Sequence, residues 1–251
     1  MFDTRILMGE IIGTALLILL GDGVVANVLL AKSKGNSSGW IVITTGWAMA
    51  VFVGVFATAS LSGAHLNPAI TFGLATAGNI GWDQVPVYLV GQFIGAFIGA
   101  LLVFLGYYPH WKETEDAGLK LAVFSTAPAI RSSLWNLMME IIGTFALMFG
   151  VFMMKSAFMG TGSGASVTPI TLGALGAIPV AFLVWAIGLS LGGPTGYAIN
   201  PARDLGPRIM HAILPIPGKG GSDWGYAWIP VVGPLIGGVL AALVWMALGR
   251  P

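Results

Sequence analysis

The sequence predicts an all-α membrane protein: six transmembrane helices and two re-entrant half-helices, arranged as an inverted repeat. Three observations lead there. Charged residues make up 8% of the 251 positions and hydrophobic residues 56%. A soluble domain carries roughly 25% charged residues, so most of this surface must face lipid. Six apolar runs reach the length of about 20 residues that crosses a bilayer: Ile6–Ala31, Trp40–Leu61, Val85–Tyr107, Leu134–Met154, Thr168–Leu189 and Ala227–Leu248. The triplet Asn-Pro-Ala also appears twice, in "SGAHLNPAIT" (62–71) and "TGYAINPARD" (195–204).

The first run follows "MFDTR", which has neither a basic leader nor a small-residue cleavage site, so it reads as a retained span. After the second run, Asn67 caps a helix and Pro68 takes its first position, where a missing N–H costs nothing. The apolar piece that follows, Pro68–Ala77, is too short to span. The third run places Gly91, Gly95 and Gly99 on one face, which suits close helix packing. After the fourth and fifth runs, Asn200 and Pro201 open a second short helix, Pro201–Ile213. The sixth run follows, and "YYPHW" and "WGYAW" read as interfacial aromatics and loop packing.

The halves match each other. "GEIIGTALLILLG" (9–21) resembles "MEIIGTFALMFGV" (139–151), which aligns Glu10 with Glu140 and leaves Asp22 opposite Phe152; "GAHLNPAI" aligns with "GYAINPAR", and "GQFIG" (91–95) echoes "GPLIG" (233–237). Each half holds three spans, an odd number, so the second half crosses the membrane in the opposite sense. One domain, 1–251, is expected, with inverted repeats at about 1–107 and 133–251. The two capped helix starts then enter from opposite faces and meet near the midplane. Irregular backbone is tolerated there only where it is buried or lines a wet cavity. Two positive helix ends repel cations, and the two Asn amides can donate hydrogen bonds into the lumen. Such a passage suits neutral, hydrogen-bonding solutes.

Other classes are excluded or disfavoured. With 11 Lys+Arg against 10 Asp+Glu there is no basic field for nucleic acid, and with no Cys there is no disulfide or thiolate site. His65, His110 and His211 have no metal-ligand spacing, and neither metal nor cofactor is expected. No acid–base or nucleophile cluster marks an intramembrane enzyme. Secondary transporters share inverted repeats, but paired midplane charges for ion coupling are lacking. Glu10 and Glu140, each costing about 2.5–3.5 kcal/mol at a helix centre, read as symmetric buttresses that accept N–H bonds from the loops before the short helices.

These residues resemble the aquaporin superfamily over nearly the whole chain, and the paired boxes in a repeat carry the resemblance. Asp204 after the second box resembles the aquaglyceroporin branch, the bacterial glycerol facilitators. The resemblance implies a passive channel for glycerol and related small neutral solutes, with water passing too and ions and protons excluded. It also implies a homotetramer in the cell membrane with a cytoplasmic N-terminus. It places Asn67, Pro68, Ala69, Asn200, Pro201 and Ala202 at the pore centre and a selectivity filter at Trp47, Gly188, Tyr197 and Arg203. Gly188 stands where water-selective relatives hold His, which leaves room for a carbon backbone. Tyr197 stands where bacterial glycerol facilitators typically hold Phe, and a phenol makes the constriction more polar. That keeps lactic acid, urea, dihydroxyacetone and hydrogen peroxide, or mainly water, as alternative cargo. Gly63, Ala64 and His65, then Tyr197, Ala198 and Ile199, are expected as extended backbone whose carbonyls line the pore.

Arg203 opposes the macrodipole of its own helix by about 0.3–1 kcal/mol, which favours a lumen role over an ion pair with Asp204. Asp204 suits that terminus and reads as structural support. Asp22 lines an outer vestibule or is solvated near the end of the first span. Under the family orientation the inner side carries Arg5, Lys155 and Arg250, and the outer side Lys32, Lys34, Lys112, Lys120, Arg131, Arg203, Arg208 and Lys219. That distribution runs against the positive-inside rule.

Overall fold

The computed structural model describes residues 3–154, 158–159, 168–169 and 173–249. Helix α1 (Thr4–Leu29) starts two residues earlier than the apolar pattern suggests, because the Asp3 carboxylate accepts the N–H of Arg5 at 2.8 Å and of Ile6 at 3.3 Å. Then come α2 (Trp40–Ser62), the short α3 (Pro68–Thr76) and α4 (Val85–Gly106). The second half contains α7 (Ser133–Met153), α8 (Ile178–Leu191), the short α9 (Pro201–Ile213) and α10 (Ile229–Ala247). Two helices without a sequence signal, α5 (Tyr108–Glu113) and α6 (Ala117–Phe124), occupy the connection between the halves. Trp111 anchors them: it is fully buried, stacks on Phe124 at 5.5 Å and donates from Nε1 to the Phe104 carbonyl at 2.9 Å.

Among the described residues, six helices are long and apolar enough to cross a membrane, counting α8 together with the 3₁₀ turn Gly173–Ala177 that precedes it. The expected fifth span begins too early. Thr168–Pro169 instead pairs antiparallel with Phe158–Met159, a two-residue bridge in an otherwise helical chain. An apolar run does not by itself distinguish helix from strand. Lys155 and Arg250, counted in the charge balance, lie outside the described residues.

Helix α1 packs along α4, and α7 along α10, through matched glycines. A Cβ on Gly95 would lie 2.5 Å from the Ile11 carbonyl oxygen, and one on Gly237 would lie 2.4 Å from that of Ile141. No side chain fits there, so the backbones are in contact. The short helices cross over between halves: α3 packs mainly on α10 and α9 mainly on α4. Ala69 meets Gly238, and Gly206 meets Ala96, across those contacts. Around the outside, Ile41, Leu105, Leu134, Trp135, Phe182 and Leu243 stand exposed, far more apolar surface than water tolerates. The protein is therefore a multi-pass membrane protein, with Trp82, Tyr108, Trp224 and Trp228 exposed near the helix ends.

Candidate functional site

Glu10 on α1 and Glu140 on α7 are buried and organise the segments before α3 and α9. Glu10 Oε1 accepts from Ser62 Oγ at 2.6 Å and His65 N at 3.0 Å; its Oε2 accepts from Leu66 N at 2.7 Å and Gln92 Nε2 at 2.8 Å. Glu140 Oε1 accepts from Thr195 Oγ1 at 2.7 Å and Ala198 N at 3.0 Å, and its Oε2 accepts from Ile199 N at 2.8 Å. Consecutive N–H groups converge on one anion only if the backbone alternates in hand. Ala64, Leu66, Tyr197 and Ile199 accordingly have φ of +52°, +51°, +39° and +44°, and Gly63 and Gly196 +79° and +80°. These segments are therefore not the extended backbone that the sequence suggests. A left-handed non-glycine residue costs about 1–2 kcal/mol, while each hydrogen bond to a carboxylate returns about 1.5–3 kcal/mol; the carboxylates outweigh the strain.

The N–H and C=O of a trans peptide point in opposite directions. With the N–H groups of His65 and Leu66 on Glu10, the carbonyls of Ala64 and His65 point away from it. Those of Tyr197 and Ala198 likewise point away from Glu140. A cavity of about 300 Å³ lies along these segments, lined among others by Gly63, His65, Asn67, Tyr197, Asn200 and Arg203. His65 is held face to face by Tyr88, stacked at 4.0 Å, and by Thr71 Oγ1 at 3.1 Å from its Nδ1.

Asn67 and Asn200 sit where the two segments meet. Each Oδ1 caps its own helix, accepting from Ala69 N at 2.8 Å and from Ala202 N at 3.0 Å. Each Nδ2 donates across the halves at 2.8 Å, Asn67 to the Ile199 carbonyl and Asn200 to the Leu66 carbonyl. An amide NH2 has two hydrogens, so one remains for the cavity. Pro68, Ala69, Pro201 and Ala202 are buried behind, as the first turns of α3 and α9.

At one end, Trp47 packs its ring on Gly21, where a Cβ would lie 2.3 Å from it. The Arg203 guanidinium lies over the Trp47 ring, 3.9 Å from its centroid, a cation–π contact. Gly188 differs from expectation. Its missing side chain does not open the cavity, because the Tyr197 ring occupies that space: a Cβ on Gly188 would lie 2.8 Å from Tyr197 Cζ and 2.9 Å from its hydroxyl oxygen. The Tyr197 hydroxyl is buried with no partner among the described residues.

Three arrangements are not evident from the sequence. Trp40, one heptad before Trp47 on the same helix, packs edge-on against Tyr197 at 5.9 Å and donates from Nε1 to the Gly188 carbonyl at 3.1 Å. Asp204 pairs with Arg208 one turn on, not with Arg203: Arg208 Nε reaches Oδ1 at 2.8 Å and Nη2 reaches Oδ2 at 3.0 Å. Asp204 Oδ2 also holds Thr126 N and Oγ1, both at 2.7 Å. Asp22 is neither in a vestibule nor solvated; it is fully buried, 3.5 Å from Arg203 Nη1. Of these, the Asp204–Arg208 pair has a sequence signal in its i,i+4 spacing; the Ser62/Thr195 match five residues before each Asn marks the hydroxyls that donate to Glu10 and Glu140. Among the described residues no cluster of His, Asp or Glu could hold a metal ion.

Comparison with known proteins places the chain in a family. The chain is 57% identical over 238 residues to a probable glycerol uptake facilitator protein of Thermotoga maritima, covering 95% of this chain and 97% of that one. It is 53% identical over 242 residues to glycerol uptake facilitator protein 3 of Lactiplantibacillus plantarum, covering 96% of each. The solved structure of the aquaglyceroporin from Plasmodium falciparum superposes with a TM-score of 0.81 at 30% identity, over 96% of this chain and 95% of that one. The family model described as major intrinsic protein matches residues 2–245, and the chain belongs to that family, in its bacterial glycerol facilitator branch.

Proposed function

We propose that the protein is a passive, bidirectional channel, not an enzyme, for glycerol and related small neutral solutes, with water passing alongside and ions and protons excluded. The observation that carries this reading is the crossed pair of asparagines: two capped helix starts meet at one cavity, each keeping an N–H for solute. The helix ends disfavour cations there. The carbonyl rows accept from hydroxyls, while the apolar wall formed by Leu17, Val51 and Val184 accommodates carbon. In this reading α3 and α9 are re-entrant half-helices of inverted repeats spanning about 1–107 and 133–251. The selectivity filter is Trp47, Tyr197 and Arg203, with Gly188 acting through Tyr197. The chain assembles as a homotetramer, with one pore per subunit and the N-terminus in the cytoplasm. The burial of Lys120, Arg203 and Arg208 and the pairing of Lys32 and Arg131 support that orientation, since they leave few free cations on the outer side.

The Tyr197 hydroxyl, without a partner among the described residues, favours a second reading within the same fold, a filter that ranks a more polar neutral solute such as urea or lactic acid above glycerol. Stopped-flow light scattering on proteoliposomes with glycerol, urea, lactic acid at low pH, and water tests both. Fast, non-saturating glycerol flux independent of ion gradients is expected. A proton current through the unmodified protein would overturn the exclusion mechanism, and water flux without glycerol flux would overturn the filter.

A further inference from the structure

Arg203 presents five N–H donors, yet its guanidinium makes a single hydrogen bond among the described residues, the long one of 3.5 Å from Nη1 to Asp22 Oδ1. Asp22 is fully buried in α1, and its Oδ2 has no partner among the described residues. It sits beside Gly21, against which Trp47 packs, so one turn of α1 supports both the ring and the cation that lies on it. The equivalent position in the second half is Phe152, which stacks on Trp245 at 4.6 Å. The carboxylate is therefore not demanded by the repeated fold; it belongs to the half that faces Arg203. A buried carboxylate is expensive in a membrane span, and stability alone does not account for one whose hydrogen bonding is half satisfied.

We propose that Asp22 is a positioning and specificity-determining residue of the filter. It holds the Arg203 guanidinium over the Trp47 ring and offsets its charge. The guanidinium then offers solute its N–H donors with its own charge offset. A lone guanidinium would draw small anions to the narrowest point and, untethered, would swing off the indole into the path of the wider solute. Asp204, the other nearby carboxylate, is committed to Arg208 and Thr126 and cannot substitute.

The inference rests on the channel reading above, and the test separates the two. Asp22→Asn, nearly isosteric, is compared with the unmodified protein in proteoliposomes matched for channel content, alone and in an Arg203→Ala background. Two quantities are read: the glycerol-to-water permeability ratio, and the nitrate-over-potassium selectivity of any current. The expected result is a fall in the ratio of about tenfold for Asp22→Asn, a coupling ordinary for groups in contact, together with a nitrate-selective current absent from the unmodified protein. In the Arg203→Ala background, Asp22→Asn should change neither quantity. An unchanged ratio and no anion current would overturn the proposal, as would an equal effect with and without Arg203, which would mean that Asp22 acts on the fold in general. Should Asp22→Asn fail to fold, Asp22→Ser in the same cycle carries the same expectations. Absence of glycerol flux through the unmodified protein would instead defeat the channel reading itself.

Discussion

Replacing Gly188 by alanine adds one methyl group where the structure has no room for it. The new Cβ would stand 2.8 Å from Tyr197 Cζ, 2.9 Å from its hydroxyl oxygen and 3.1 Å from Thr44 Cγ2. Carbon atoms sit comfortably at about 3.5–4.0 Å, so the phenol must move by about 0.7–1.2 Å. It cannot retreat, because its other flank rests on Gly192, where a Cβ would be 2.5 Å from Cδ1, and Trp40 closes the edge. The open direction is the cavity. Overpacking of this kind costs about 1–3 kcal/mol. A solute wide enough to push the ring back meets that cost as added barrier, and at about 1.4 kcal/mol per tenfold its flux falls by about 5- to 150-fold. Water passes without displacing the ring and should slow by less than about threefold. Stopped-flow swelling of proteoliposomes in glycerol and in an impermeant osmolyte measures both, with Gly106→Ala as control because nothing lies within 4 Å of a Cβ there. If glycerol and water fell by the same factor, or neither changed, the Tyr197 ring would not bound the aperture and the argument from Gly188 would be wrong.

The two arginines of α9 should separate cleanly. Arg208→Ala strands the buried Asp204 carboxylate, and a loss of about 3–5 kcal/mol should appear as a large fall in Tm in detergent with the solute ranking of surviving channels unchanged. Glu140→Gln keeps one oxygen for the N–H of Ala198 or of Ile199 but turns its NH2 toward the other, so a loss of about 1–3 kcal/mol and a matching fall in Tm are expected. Gly237→Leu drives a side chain into the Ile141 carbonyl and should abolish recovery of a monodisperse protein on size exclusion. At the surface, the hydrogen bond and then the charge of Lys32 hold the exposed Glu113 carboxyl below its ordinary value of 4.5. That contribution is complete above pH 4.5 and disappears as the carboxyl is protonated at lower pH. In Lys32→Met, the Glu113 midpoint followed by carboxyl NMR should rise toward 4.5.

Much of this molecule was legible in one dimension because lipid is an undemanding solvent to read. A span must be about 20 apolar residues long, and a proline behind an asparagine marks where a helix begins; α3 and α9 begin at those residues. The repeat aligns Glu10 with Glu140, and both support the loops before the short helices. The start of the fifth span is not legible this way, since hydropathy cannot tell a strand at Thr168–Pro169 from the first turn of a helix.

The sequence by itself determined what must be buried and what must be wet: its composition requires lipid, its apolar runs require six crossings, and its two Asn-Pro steps require two helix starts. Partners were decided only by the tertiary structure. Whether Arg203 faces Asp204, its neighbour in the chain, or Asp22, on α1, is decided only where the packed helices place α9. The same holds for the space beside Gly188, which Tyr197 takes up. Hydrophobicity is summed along the chain, but a hydrogen bond or a clash is fixed within a few tenths of an ångström between residues far apart in it, and that precision exists only once the helices have packed.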